Sequence, residues 1–135
     1  MGMTKLNKEI IEKALAFQNK NWHKRALKLL HEVEAKEKTT SMVYGLIGSS
    51  CYQLGDFKSS AKYFKKCLKI KPTSELASLG LFHSFLEIKK YKDAFIEMKR
   101  YLSGHKPKMY KVLIKELQQT TAFSKYYPLE KINSN

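Results

Sequence analysis

Sliding the sequence along itself by the step from Ala26 to Ser60 brings like residues into register three times, and no other feature restricts the fold as much. Ala26, Ser60 and Ala94 form one set, Phe17, Cys51 and Phe85 a second, Leu30, Phe64 and Met98 a third, and Ala14, Gly48 and Phe82 a fourth. Every member is apolar or small. A period of this size marks a unit that cannot bury its apolar side alone and must stack against copies of itself. Within the central unit the pattern is helical: Tyr44, Ile47, Cys51 and Leu54 recur at steps of three and four, and so do Ser60, Phe64, Cys67 and Leu68. Between the two runs, Gly55 supplies a left-handed helix end and Asp56 an N-cap for the next helix. Pro72 stops that second helix. Gly48 and Ser60 are small where two antiparallel helices must approach closely.

The central unit resembles the tetratricopeptide repeat, with Tyr44, Gly48, Tyr52, Gly55, Asp56, Phe57, Phe64, Leu68 and Pro72 at the positions of that motif. The resemblance implies an all-α fold, a right-handed superhelix of three such hairpins plus a C-terminal capping helix. The expected boundaries are an N-terminal extension over 1–6, one domain over 7–123 and a tail over 120–135. The domain divides into repeats at 7–40, 41–74 and 75–108 and a capping helix at 109–119. In the first repeat Asn21 replaces the turn glycine, which Asn tolerates. Lys13 takes an apolar position and Lys38 replaces the proline, departures expected of a terminal repeat with an open face. In the third repeat Phe82 replaces the small residue, Lys89 the glycine, and Pro107 comes one residue late, so helix packing there should be wider or shifted. After it, Met109, Tyr110, Leu113, Ile114 and Leu117 share one helical face and would cover the last repeat.

The same resemblance implies a groove lined by the first helix of each repeat. It selects Ile11, Leu15 and Asn19, then Met42, Ser49, Tyr52 and Gln53, then Leu76, Leu79, His83, Leu86 and Glu87. The set is mostly apolar, and grouped exposed apolar residues suggest an interaction site. Two occupants fit, a segment of another protein or the chain's own C-terminal part around Tyr126 and Leu129. A clamp for a C-terminal carboxylate is disfavoured, because Ile11, Leu15, Ser49, Leu76 and Gly80 stand where that clamp needs cationic or amide donors.

Charge is the loudest bulk property. A formal net charge of +14 implies an acidic partner, a nucleic acid or an anionic membrane surface, and composition does not choose among them. Lys58, Lys62, Lys65, Lys66 and Lys69 fall at three- and four-residue steps on the second helix of the central repeat, forming a basic stripe on the convex side. Phosphate binding would reward such clustering. Of the 26 basic residues, however, only Arg25 and Arg100 are arginine, the residue suited to forked phosphate and base contacts.

The sequence carries no constellation for catalysis, metal binding or a cofactor. His23, His31, His83 and His105 are scattered, there is no glycine-rich phosphate loop, and Cys51 and Cys67 occupy packing positions. Two cysteines without metal-ligand spacing point to a reducing compartment, and the absence of a long apolar run or secretory signal to a cytoplasmic one. Met1-Gly2 lacks the Ser or Thr that myristoylation requires, having Leu6 instead. The expectation is a non-catalytic protein-protein interaction module acting as adaptor, chaperone or neutralising immunity partner. It would grip a peptide or acidic protein in the groove, with nucleic-acid binding through the lysine stripe as the alternative.

Overall fold

A computed structural model describes residues 4–36 and 40–118. Among them are seven helices and no strand: α1 (Lys5–Asn19), α2 (His23–Lys36), α3 (Ser41–Gln53), α4 (Phe57–Ile70), α5 (Glu75–Glu87), α6 (Tyr91–Gly104) and α7 (Met109–Leu117). They pair as antiparallel hairpins, α1 with α2, α3 with α4, and α5 with α6, each hairpin packing its second helix on the first helix of the next. The N-terminal extension up to residue 3, the link at 37–39 with Lys38, and the tail from 119 on, with Tyr126 and Leu129, lie outside the described residues.

The three turns within hairpins share one geometry. Asn21, Gly55 and Lys89, which occupy the same position in successive repeats, all have φ between 62° and 81°. The amides of Trp22, Asp56 and Lys90 each donate to a carbonyl five residues back, those of Phe17, Cys51 and Phe85, at 2.8 to 2.9 Å. This pair of a left-handed residue and a six-to-one hydrogen bond caps carbonyls that would otherwise be orphaned. Asp56 caps α4 as expected, accepting from the Ser59 amide at 3.3 Å. The first helix of each hairpin has a cap that the sequence reading did not single out. Thr4, Thr40 and Ser74 hydroxyls accept from the amides of Asn7, Val43 and Ala77.

Ala26, Ser60 and Ala94 are fully buried at the helix crossings, and the Ser60 hydroxyl donates to the Gly48 carbonyl at 3.0 Å. The core falls into two clusters. One joins α1, α2 and α3 through Ile11, Leu30, Val33 and Ile47; the other joins α4 to α7 through Phe64, Phe82, Met98 and Tyr110. Phe82, too large for the position its counterparts Ala14 and Gly48 fill, is fully buried and meets the Phe95 and Tyr110 rings edge-on. Leu54, expected on the inner face of α3, is half exposed at the turn, where the helix has already ended.

Helix α7 starts one repeat length after α5 and buries Tyr110 and Ile114, while Met109, expected on its inner face, is half exposed. Its N-terminus is capped from a distance. The Glu75 carboxylate on α5 accepts from the amides of Lys108 and Tyr110 at 2.9 to 3.0 Å, supplying the negative charge a helix N-terminus favours. Below it, Tyr110 and Ser78 hydroxyls hydrogen-bond at 2.8 Å, and Glu97, itself buried, is paired with Arg100.

Candidate partner-binding groove

Helices α3 and α5 run side by side with α4 behind them, and the space left in front is a cavity of about 720 Å³. Glycine makes it. Gly45 on α3 and Gly80 on α5 present no side chain, so the groove deepens to the Phe64 ring and the Cys67 thiol of α4. The Phe64 ring fills space that only glycine leaves free on two helices: a Cβ on Gly80 would lie 2.5 Å from it and one on Gly48 3.1 Å. The walls are Leu46, Leu79 and the exposed Met42 and Leu76, which are 52% and 64% accessible and stand at the same position in successive repeats.

The two ends differ. Where α3 and α5 begin and α4 ends, Ser41, Ser74 and Lys71 line the cavity, giving it a cationic rim. At the opposite end stand Ser49, Tyr52, Gln53 and His83. Tyr52 packs edge-on against both Phe57 and His83, with ring centroids 5.1 and 6.5 Å apart. Burial, reinforced by the Glu87 carboxylate, pushes the Tyr52 phenol above its ordinary range. Burial lowers the His83 imidazole, against the opposing pull of Glu87. At neutral pH this end is an amphipathic wall of neutral hydrogen-bonding groups.

Of the twelve groove residues expected from sequence, the cavity brings together Met42, Ser49, Tyr52, Gln53, Leu76, Leu79 and His83. Ile11 is elsewhere: at 4% exposure it packs in the core of the first two hairpins. Leu15 and Asn19 are exposed on α1, away from the cavity. Leu86 packs against the second core cluster, and Glu87 is exposed at the end of α5. Sequence reasoning missed the floor, Phe64 and Cys67, and the glycines that expose it. The available signal was the pair of mid-helix glycines with no turn to make, since glycine inside a helix costs about 1 kcal/mol relative to alanine.

On α4, Lys58, Lys62, Lys65 and Lys69 are exposed and Lys66 is half-buried. Several lie over aromatic rings rather than free in solvent. The Lys65 ammonium is 5.1 Å from the Phe85 ring, and that of Lys66 5.4 and 5.1 Å from Tyr44 and Tyr63. Among the described residues Glu97 pairs with Arg100 and His31 hydrogen-bonds Glu34, and no lysine of the stripe is in direct contact with a carboxylate. Burial, then Asp56, push the Cys51 thiol up to about 11, and burial raises Cys67 as well, so neither is a ready nucleophile. Among the described residues no three metal-ligating side chains converge, and no helix is long and apolar enough to cross a membrane.

Residues 43–74 match the tetratricopeptide repeat family. Among solved structures the chain is similar to MamA of Desulfovibrio magneticus RS-1, in a form running from residue 41 to its end and in an RS-1 double mutant. Each aligns at 24% identity and a TM-score of 0.70 over 76% of this chain. This chain spans 58% of the length of those structures, and at that identity the likeness is one of fold. No curated protein matches the sequence.

Proposed function

With residues 43–74 a tetratricopeptide repeat and the described chain folded as an array of such hairpins, we propose that the protein is a non-catalytic interaction module that holds a segment of another protein between α3 and α5. The observation that carries this reading is the cavity itself. Its volume is in the range of binding clefts, its walls and floor are apolar, and a few polar groups sit at defined ends. Exposed Met42 and Leu76 would be poor choices for a surface meant to stay wet.

A short amphipathic segment fits best. Its apolar side chains would lie on Leu46, Phe64, Leu76 and Leu79, with Tyr52, Gln53 and His83 fixing register by hydrogen bonds. Lys71 favours an acidic group at the end of the segment near Ser41 and Ser74. The lysines of α4 would raise the association rate for an acidic partner without adding specific contacts. Holding an apolar segment out of water is what an adaptor, a chaperone and a neutralising partner all need.

The test is selection of peptides from a random display library, followed by titration of the selected sequences. Peptides with two or more apolar residues at helical spacing should emerge, and Leu79→Glu should weaken them at least tenfold. Reversing Lys62, Lys65 and Lys69 to Glu should mainly slow association and reduce its salt dependence. Peptides that bind Leu79→Glu as well as the native protein would move the site away from the groove.

A further inference from the structure

The three identical turns place one edge of the stack in register, and that edge has a composition the groove does not explain. Because α1, α3 and α5 are parallel and each is followed by the same turn, the starts of α2, α4 and α6 line up along it. Lys24, Lys58 and Lys92, one repeat apart, are each the second residue of those helices, and all are exposed. A cation in the first turn opposes the helix dipole; Asp56 at the N-cap of α4 and Asp93 in the first turn of α6 offset it there, and α2 has no acid in its first turn. All three repeats nonetheless present a lysine at this position to solvent.

Beside this lysine column the edge exposes large apolar side chains. Trp22, Leu54 and Tyr91 are each 42% accessible, and Trp22 and Leu54 border one crevice together with Lys24 and Arg25. The Trp22 ring is flanked by cations, with the Lys20 ammonium 4.9 Å and the Arg25 guanidinium carbon 4.8 Å from its centre. The acids nearby are Asp56, which caps α4, Asp93 in the first turn of α6, and Glu87 at the end of α5, which faces Tyr52 and His83.

We propose that this turn edge docks the protein on an anionic lipid membrane surface, leaving the groove between α3 and α5 open. Amphipathic aromatic rings with lysine and arginine beside them suit the headgroup level of a bilayer. Lysines near an anionic leaflet each add about fivefold to binding, and a row of turns meets a flat surface without needing a cleft. A nucleic acid fits less well, because an exposed Leu54 gains nothing on a phosphate backbone.

Trp22 is the single tryptophan, so its fluorescence reports on this edge alone. The full chain is titrated with vesicles of phosphatidylcholine alone and of phosphatidylcholine with about 30% phosphatidylserine. Binding to the second only, with a blue shift of Trp22 emission and release at high salt, is the expected result. Lys24→Glu, Lys58→Glu and Lys92→Glu together should weaken it on the order of a hundredfold. Their melting temperature should be no lower than native, since acids suit helix N-termini; the Gln triple at these positions gives the same reading with charge merely removed. The control triple Lys62→Glu, Lys65→Glu and Lys69→Glu, equal in charge change, should keep most of the affinity. No binding to anionic vesicles, binding without a Trp22 shift, or equal loss in the control triple would overturn the proposal. So would a Trp22 shift produced by polyuridylate or polyglutamate but not by vesicles, which would assign the edge to RNA or to an acidic protein.

Discussion

At position 80 a single methyl group would meet the Phe64 ring at 2.5 Å, closer than real contacts allow, so the buried ring would have to shift within a packed core. Gly80→Ala should therefore destabilise the protein by roughly 1–2 kcal/mol, overpacking outweighing the better helix propensity of alanine. Gly45→Ala should do the reverse. Its Cβ would sit 3.7 Å from the Cys67 sulfur, an ordinary contact, so the propensity gain of up to about 1 kcal/mol stands, while the groove becomes shallower. Urea unfolding of the two variants separates these outcomes by sign. Cys51 gives a pH signature. Its thiol is raised from 9.0 to about 11 in the folded chain, so the neutral form's contribution is complete below pH 9 and is lost as pH climbs toward 11. Native stability should fall over that window more steeply than that of Cys51→Ala, as measured by denaturant midpoints at pH 8, 10 and 11.

The three hairpin turns are one device in three chemistries, and helix α7 depends on a cap borrowed from another element. Lys89 adopts φ 63° without the freedom of glycine or the local hydrogen bonding of asparagine. Lys89→Gly should raise stability by about 0.5 kcal/mol, the relief of left-handed strain exceeding the added entropy of the unfolded chain. An unchanged or lowered unfolding midpoint would show that the turn carries no strain. Glu75 holds the start of α7 through the Lys108 and Tyr110 amides. Glu75→Ala should accelerate hydrogen exchange across 109–117 while leaving α1 to α4 protected. No sequence pattern pairs Glu75 with the distant Lys108 and Tyr110, so this cap was legible only in three dimensions. The hairpins themselves were legible, because each rests on a local helical period, with Asn21 and Gly55 as turn residues that accept the left-handed conformation and Asp56 as a cap. The caps Thr4, Thr40 and Ser74 and the left-handed Lys89 were not.

Among the described residues the core forms two clusters, one in α1 to α3 and one in α4 to α7, which meet where α3 packs on α4. A stack of this kind gains stability from units and from the contacts between neighbours, so damage stays near its source. Leu30→Ala should cost about 2–5 kcal/mol within the first cluster and expose α1 and α2 to exchange first. Met98→Ala should loosen α5 to α7 first, with α1 and α2 protected longer. Hydrogen exchange read helix by helix checks this; uniform loss of protection in both variants would mean that the two clusters unfold as one unit.

The period, the helical hairpins, the positions of their turns and the small residues at their crossings can be read from the residues alone, because all of these follow from contacts within a single repeat of the chain. So can the charge and the lysine register. Which side chains stay open to solvent depends instead on how the helices pack in three dimensions. Ile11 and Met42 both fall at expected groove positions, yet neighbouring helices bury the first and leave the second open. The groove's floor comes from α4, and it is visible only because two glycines on different helices face it at once. Accessibility depends on atoms far apart in sequence, and no local pattern encodes where they meet.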